Sequence, residues 1–346
     1  MAKFHINPET GEPGLCKAQK QCPFGGDDAH FTSKEAARTA YEEKQTTFAA
    51  EVEENPYAHL SDAELEKIEL ASMGAHRAAR TPLSDEEYDR HYEYIRRVRR
   101  SNPSTHKTLT VRSKYPLARE ALHLEIIAEL TKEYENVPSE GKALFVGGIT
   151  GAGKSTVIKD ASELNGENYA PVNPDIIKEK MIEKEMQPTI PGLLPMETDE
   201  LIRYEATVIS DQLYKTLSET KKNIVFDKTM ASEAQVTKTI EELKAHGYKE
   251  FSGVFVDVES NEAYRRIRAR HHEGINLYLT QGKGTGERPV PGTAVASTRT
   301  EPGSKFRSKN GKIFADLSTK GAFTTPPRVF DTSVGVVEVP FEDFAN

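Results

Sequence analysis

Residues 148 to 155 read GITGAGKS and match the pattern G-x-x-x-x-G-K-[ST], in which backbone N–H groups surround a phosphate. Lys154 adds a positive charge for the β- and γ-phosphate oxygens, and the Ser155 hydroxyl suits Mg²⁺. The apolar run 143–147 before the loop predicts a buried strand, and 155–164 predicts a helix whose positive end faces the ligand. Because strand, loop and helix are in register, a chance glycine turn is the weaker interpretation. The predicted nucleotide-binding residues are Gly148, Thr150, Gly151, Ala152, Gly153, Lys154, Ser155 and Thr156.

Length and charge limit what kind of protein this is. The 346 residues exceed one average domain, so two or three units are expected. A net charge of -8 argues against a dedicated nucleic-acid binder, although a local basic groove remains compatible with it. The chain lacks an apolar run of transmembrane length and a signal-peptide core, so we expect no membrane association and a cytoplasmic location.

The region before residue 110 is polar and predicts helices. Three capping boxes begin predicted helices over about 33–54, 62–79 and 85–100. The boxes are Thr32-x-x-Glu35, Ser61-x-x-Glu64 and Ser84-x-x-Glu87. A breaker cluster at 101–105 follows them. We therefore predict a small Cys- and His-containing segment over 1–32, a helical extension over 33–110 and a main domain over 111–346.

Strands alternate with helices after residue 140. Apolar strands are predicted at 223–227, 253–258, 329–331 and 336–339, with helices between them. This alternation predicts an α/β fold with a P-loop NTPase-type parallel sheet flanked by helices, preceded by the mostly helical N-terminal region. The stretch 280–325 is rich in Gly, Thr, Ser, Pro and Lys, and we predict a mobile insertion there.

Four potential zinc ligands lie in the first 30 residues. They are His5, Cys16, Cys22 and His30, and sulfur with imidazole is a common tetrahedral zinc set. The spacings between them are looser than those of standard zinc fingers. The alternative interpretation is a small loop with free thiols.

Asp175 is the candidate general base. It ends the run Pro171-Val-Asn-Pro-Asp175 shortly after the phosphate-loop helix, where a second strand would end on the ligand side of the sheet. A carboxylate in hydrogen-bond reach of an acceptor hydroxyl can take its proton during phosphoryl transfer. The alternative is that Asp175 caps the next helix.

The run Tyr264-Arg-Arg-Ile-Arg-Ala-Arg270 carries four arginines on one predicted helix. Guanidinium groups stabilise charge on a transferring phosphoryl group. Arg266 and Arg270 share a helix face because they are four residues apart. A solvated basic face is the alternative.

The ordered set of motifs resembles the zeta toxin kinases over roughly 117–340. The motifs that carry the resemblance are the phosphate loop, the Asn-Pro-Asp175 turn, Arg203-Tyr-Glu-Ala206, Asn223-Ile-Val-Phe-Asp-Lys-Thr229, the run Gly247 to Val258, the arginine-rich helix, Arg288-Pro-Val-Pro291 and Phe330-Asp-Thr-Ser333. The phosphate loop alone occurs in many NTPases, whereas the ordered combination is much more specific.

This resemblance implies that ATP with Mg²⁺ phosphorylates a hydroxyl of a UDP-amino-sugar such as UDP-N-acetylglucosamine. It implies Asp175 as the base, Arg266 and Arg270 as catalytic arginines, Arg288 near the nucleotide, and Glu205, Asp227 and Thr229 at the acceptor. Many family members carry Gly-Thr-x-Arg where this chain reads Lys228-Thr-Met-Ala-Ser232. The acceptor is therefore less defined than the reaction type, because that arginine would have held an anionic or polar acceptor.

Alternatives stay open at this stage. A kinase of the same core could act on a nucleic-acid end, an antibiotic or a protein hydroxyl, and a regulatory NTP-binding module is a rival outside the enzymes. Zeta-type kinases are usually inhibited by a helical antitoxin, so the helices of 33–110 are either an inhibitor in cis or a docking module for another protein. An antitoxin in trans is the other expected partner.

Overall fold

The computed structural model describes residues 4–6, 13–15, 33, 59–111, 114–160, 168–227, 229–300 and 303–345. The chain divides into two units, Met1–Leu65 and Glu66–Asn346. In the first unit, strands β1 (Phe4–Ile6) and β2 (Pro13–Leu15) pair antiparallel. The predicted helix 33–54, apart from Ser33, and Cys16, Cys22, His30 and the side chain of His5 lie outside the described residues. The zinc prediction therefore stays a prediction.

Two predicted helices of the N-terminal region are present. Helix α1 spans Asp62–Ala79, α2 spans Asp85–Ser101 and a short α3 spans Thr105–Leu109. The capping box before α2 has both of its bonds: Glu87 N donates to Ser84 Oγ, and Ser84 N donates to the Glu87 carboxylate. The predicted boundary near residue 110 lies inside the second unit, which contains α2 and α3 together with the phosphate loop.

A six-stranded sheet forms the centre of the second unit. Its strands are β3 (Lys142–Gly147), β4 (Ala170–Pro171), β5 (Ile224–Asp227), β6 (Glu250–Asp257), β7 (Arg328–Asp331) and β8 (Val337–Val339). They lie in the order β4-β5-β3-β6-β7-β8, and only the β7–β8 pair is antiparallel. The carboxyl ends of β3, β4 and β5 therefore meet at one edge of the sheet, where ligands of such folds bind.

Helices cover both faces of this sheet, which confirms the predicted α/β fold class. They are α4 (Leu117–Glu133), α5 (Lys154–Asp160), α6 (Pro174–Glu183), a 3₁₀ turn (Pro195–Thr198), α7 (Asp199–Glu219), α8 (Glu233–Ala245), α9 (Ser260–Gln281), α10 (Gly292–Ala296), α11 (Lys309–Thr319) and α12 (Phe341–Ala345). Along β3, Phe145 belongs to one apolar cluster while Leu144 and Val146 belong to another. This alternation buries the strand on both faces, as expected for a covered parallel sheet.

The stretch 280–325, for which the sequence predicts a mobile insertion, contains helices among its described residues. Helix α9 continues to Gln281, and α10 and α11 follow within this stretch. Phe314 is fully buried, and its ring lies 5.4 Å from that of Phe255 and 5.7 Å from that of Phe323. The stretch is polar overall, so its short apolar face, which packs on the sheet, was not recognised in the sequence.

Of the helices described, none is both long enough and apolar enough to cross a membrane.

Replacing Gly253 by Ala tests how tightly this segment packs. An added Cβ on Gly253 of β6 would lie 2.5 Å from the Phe323 ring, so the ring must move. We expect the variant to lose about 1–3 kcal/mol of unfolding free energy, as overpacked cores do. Denaturant unfolding measures this loss.

Gly335→Ala is the matched control, because an added Cβ there meets no described atom within 4 Å. Equal stability of the two variants would show that Phe323 is loosely held and that the predicted mobility was correct.

Candidate active site

The phosphate loop has a backbone that requires glycine at defined positions. The φ angles of Gly148, Gly151 and Gly153 are 147°, 82° and 85°, a region that side chains disfavour. A Cβ on Gly148 would lie 2.5 Å from the Val256 carbonyl oxygen, and one on Gly151 would lie 2.6 Å from that of Ala263. The loop therefore packs directly on β6 and α9, and its shape depends on these glycines.

Lys154 is held inside the loop. Its Nζ donates to the carbonyl oxygens of Gly148 at 3.1 Å and Ile149 at 3.3 Å, and it lies 3.8 Å from Asp227 Oδ1. Burial lowers the pKa of Lys154, and the nearby Asp227 carboxylate opposes this shift. An anionic phosphate would compensate the partly buried charge better than two carbonyl dipoles do.

The loop opens into a cleft of about 1140 Å³ whose lining residues all lie between Phe145 and Arg288. The predicted site residues on its wall are Thr150, Gly151, Gly153, Lys154, Ser155, Thr156, Asp175, Asp227, Thr229, Arg266, Arg270 and Arg288. Gly148 and the buried Ala152 shape the loop from behind and do not line the cleft. Residues 66–111 of the same unit do not line it either, so this part of the N-terminal helices does not occlude it.

Asp175 lies at the start of α6, where β4 ends. The cap of this helix is Asn173, whose side chain accepts a hydrogen bond from Asp175 N at 2.9 Å. The helix-cap interpretation of Asp175 was therefore wrong. The Asp175 carboxylate instead pairs with Lys178 Nζ at 3.1 Å and with Arg288 Nη2 at 3.2 Å. Burial raises the pKa of Asp175, but Arg288 and Lys178 outweigh it and hold the pKa below the usual range.

The two predicted catalytic arginines, Arg266 and Arg270, have different surroundings. Arg266 donates to Glu262 Oε1 at 2.7 Å, to Thr332 Oγ1 at 3.0 Å and to the Thr332 carbonyl oxygen. The Thr332 hydroxyl in turn donates to the Ala152 carbonyl oxygen at 2.7 Å, so Arg266 ties the phosphate loop to the end of β7. Arg270 is half-exposed and lies 3.4 Å from Glu287 Oε1. Arg270 is thus freer than Arg266 to move toward a bound phosphate.

Glu205 does not line the cleft, so its sequence-based placement at the acceptor needs correction. Its buried carboxylate accepts from Arg119 Nε and His123 Nε2, both at 2.6 Å. Burial raises the pKa of Glu205, but bonds from His123 and Arg119 dominate and lower it to about 2. Glu205 therefore joins α7 to α4, a role that its sequence motif did not indicate.

Asp227 and Ser155 supply the oxygen atoms that a magnesium ion prefers. Asp227 Oδ1 is buried, lacks a hydrogen-bond donor among the described residues, and faces the charge of Lys154. Burial raises the pKa of Asp227, and Lys154 opposes that shift. The Ser155 side chain is exposed in the same cleft. Carboxylate, hydroxyl and phosphate oxygens suit Mg²⁺, so these residues fit the predicted ion.

A second group of potential metal ligands contains Glu197, whose carboxylate already accepts bonds from protein donors. His91, Glu197 and His271 bring three donor atoms within 4.8 Å of one another. Glu197 nevertheless accepts bonds from His91 at 2.8 Å, from Arg77 at 2.8 and 3.0 Å, and from Leu194 N at 2.6 Å. We therefore interpret His91 and Glu197 as a buried hydrogen-bonded pair beside His271, whose pKa is lowered by burial to about 3.

Sequence reasoning missed residues that surround Asp175. Lys178 follows it by three residues on the same helix face, so the spacing could have revealed the contact. Glu179 and Glu287 also line the cleft, and burial raises the pKa of both carboxyls. The Asp199 carboxylate lies 2.8 Å from Lys178 Nζ, and no local sequence pattern predicts this contact.

Comparison with known proteins places the chain in a family. The zeta toxin family model matches residues 127–311, more than half of the sequence, so the chain belongs to the zeta toxin family, whose members are P-loop kinases. This confirms the resemblance seen in the sequence. A comparison with curated proteins gave no match.

Several solved structures match this chain over part of its length. One is from the PezAT chromosomal toxin-antitoxin system of Streptococcus pneumoniae, with 15% identity, 65% of this chain and 81% of that chain covered, and a TM-score of 0.45. Another is the AvrRxo1-ORF1:ORF2 complex with ATP, with 15% identity, 72% and 70% covered, and a TM-score of 0.48. A putative kinase from Chloroflexus aurantiacus has 10% identity, 56% and 89% covered, and a TM-score of 0.33.

Lys154→Ala should weaken nucleotide binding. The variant loses charge-assisted bonds to phosphate, which are worth about 1.5–3 kcal/mol, so ATP affinity should fall by about 10- to 100-fold. Isothermal titration calorimetry with ATP and Mg²⁺ measures the loss. Lys159→Ala is the control, because Lys159 is exposed one turn further along α5. Equal affinities of the two variants would mean that ATP does not occupy this loop.

Proposed function

We propose that this protein transfers the γ-phosphate of ATP to a hydroxyl group of a small acceptor, a UDP-amino-sugar such as UDP-N-acetylglucosamine. The observation that carries the proposal is that Lys154 of the phosphate loop and the Asp175 carboxylate line one cleft. Membership of the zeta toxin family supports the reaction class and the choice of acceptor. Mg²⁺ held near Ser155 and Asp227 would neutralise charge on the phosphates.

The reaction follows from the charges on the cleft wall. The lowered pKa of Asp175 means that the carboxylate is ionised at neutral pH and ready to accept a proton. The acceptor hydroxyl loses its proton to Asp175 as its oxygen bonds to the γ-phosphorus, and the bond to the ADP leaving oxygen breaks. Lys154, Arg270 and Arg288 are cations that can meet the developing negative charge.

Arg288 links the nucleotide side of the cleft to the base. Its guanidinium pairs with the Asp175 carboxylate at 3.2 Å. A γ-phosphate would compete for this guanidinium, because phosphate carries more charge than one carboxylate. Binding of ATP would then release one counterion of Asp175 and make the carboxylate a stronger base. The exposed Thr229 and the carboxylate of Asp227 remain the proposed acceptor contacts.

We propose an antitoxin in trans as the partner of this protein. We also propose that the protein is located in the cytoplasm. The family membership motivates this partner, and the open cleft offers it a surface to cover. The hypothesis of inhibition in cis has no support from residues 66–111, because none of them lines the cleft.

Asp175→Asn should keep ATP binding and lose catalysis. The amide fills the same volume but cannot take the hydroxyl proton, so kcat should fall by about 10²- to 10⁴-fold. Because Asn173 caps α6, the melting temperature should change little. Coupled ADP-release kinetics measure kcat, and thermal melting measures the melting temperature. A variant that melts earlier but keeps its kcat would contradict the role of Asp175 as base.

The acceptor is identified by incubating the protein and ATP with a panel of nucleotide sugars. Mass spectrometry should show a gain of one phosphate on a UDP-amino-sugar, and Lys154→Ala should abolish it. Phosphorylation of a nucleic-acid end, an antibiotic or a protein instead would support a kinase but would exclude a UDP-amino-sugar as its acceptor. ATP binding without any phosphorylated product would favour the regulatory NTP-binding module.

A further inference from the structure

Helix α2 contacts the start of α7 through Arg99. The Arg99 guanidinium donates to Asp199 Oδ1 at 2.7 Å and to the Glu197 carbonyl oxygen at 3.1 Å. Asp199 is buried, so its carboxylate depends on protein cations for compensation. One of these cations thus comes from the N-terminal region, which a minimal phosphate-loop fold does not need.

The two other cations on Asp199 are the ones that hold Asp175. Lys178 Nζ lies 2.8 Å from Asp199 Oδ2 and 3.1 Å from Asp175 Oδ1. Arg288 lies 3.7 Å from Asp199 Oδ2 and 3.2 Å from Asp175 Oδ2. Lys178 and Arg288 are therefore shared between two carboxylates. How strongly these two cations interact with Asp175 therefore depends on how well Arg99 compensates the charge of Asp199.

A second contact from α2 reaches the segment that carries Arg288. The Tyr88 hydroxyl donates to the Val290 carbonyl oxygen at 3.2 Å and accepts from Val290 N at 2.9 Å. Tyr88 is buried, and Val290 lies two residues after Arg288. Helix α2 thus contacts both the Asp199 carboxylate and the backbone of Val290. These two contacts together set the position of Arg288.

We propose that Arg99, carried by α2, is a positioning residue for Asp175. It neutralises Asp199, which leaves Lys178 available to orient Asp175 and keep it ionised, and leaves Arg288 available to pair with Asp175 and then with the γ-phosphate. The N-terminal region between residues 66 and 110 is on this account a required part of the active site. The inference rests on the proposed function, since its readout is phosphoryl transfer.

Removing Arg99 should raise the pKa of Asp175 in two ways. Asp199 would draw Lys178 and Arg288 toward itself, and one positive charge would be lost from the region. The other charged groups around Asp175 stay in place in the variant. They are Glu179 on α6, Lys154 in the loop, Asp227 on β5, Arg270 on α9 and Glu287 after it.

The test is Arg99→Met in the full chain, with Arg96→Met as the matched control. Arg96 lies on the same helix and pairs with Glu93 of that helix through bonds of 2.6 and 2.8 Å. For Arg99→Met we expect kcat to fall by about 10- to 100-fold, which is the usual cost of a misplaced catalytic group. The KM for ATP should change less than about twofold, because Arg99 does not touch the phosphate loop. The acidic limb of the kcat–pH profile should move to higher pH.

Two further variants keep the test decisive. Arg99→Lys retains the charge and should restore most of kcat and the position of the acidic limb, even if Arg99→Met folds poorly. Tyr88→Phe removes both hydrogen bonds to Val290 but keeps the aromatic ring, and it should also lower kcat, as Arg99→Met does. An unmoved acidic limb with kcat equal to that of Arg96→Met would overturn the inference. If wild-type protein phosphorylates none of the acceptors, the proposed function itself fails, which is a separate result.

Discussion

Two buried carboxylates at the start of α7 constrain the whole second unit. Glu197 and Asp199 are inaccessible to solvent, and a buried charge is tolerated only when it is paired and hydrogen-bonded. Burial raises the pKa of Glu197, but His91 and Arg77 outweigh it and lower the pKa to about 2. Asp199 pairs with Arg99 and with Lys178. The N-terminal helices and the P-loop core must therefore fold together, because each leaves charges that the other compensates.

This constraint connects architecture to chemistry. The parallel strands bring the phosphate loop and Asp175 to one sheet edge, and the sheet defines this edge without help from the N-terminal helices. The charge state of the cleft depends on more distant elements, since Asp199 shares Lys178 and Arg288 with Asp175. In this fold, a helix that lies outside the cleft can set the basicity of a group inside it.

The sequence predicted what depends on local patterns. The phosphate loop, α2, the strands and the α/β class follow from glycine spacing, capping boxes and apolar periodicity, and the structure agrees with them. The roles of Glu205 and Asp199 depend on partners about 80 to 100 positions away along the chain, such as Arg119 and Arg99. A single sequence carries no signal for such pairs. The packed α11 was missed because only a few residues, Phe314 among them, face the core of an otherwise polar segment.

The central claim is that the γ-phosphate of ATP lies between Lys154 and Asp175. A crystal structure of the full chain with Mg²⁺ and a non-hydrolysable ATP analogue tests it most directly. The account predicts the β-phosphate inside the loop 148–155, the ion against Ser155 and Asp227, and Arg288 turned from Asp175 toward the γ-phosphate. A nucleotide bound away from the loop, or a γ-phosphate on the side of the loop remote from Asp175, would contradict it.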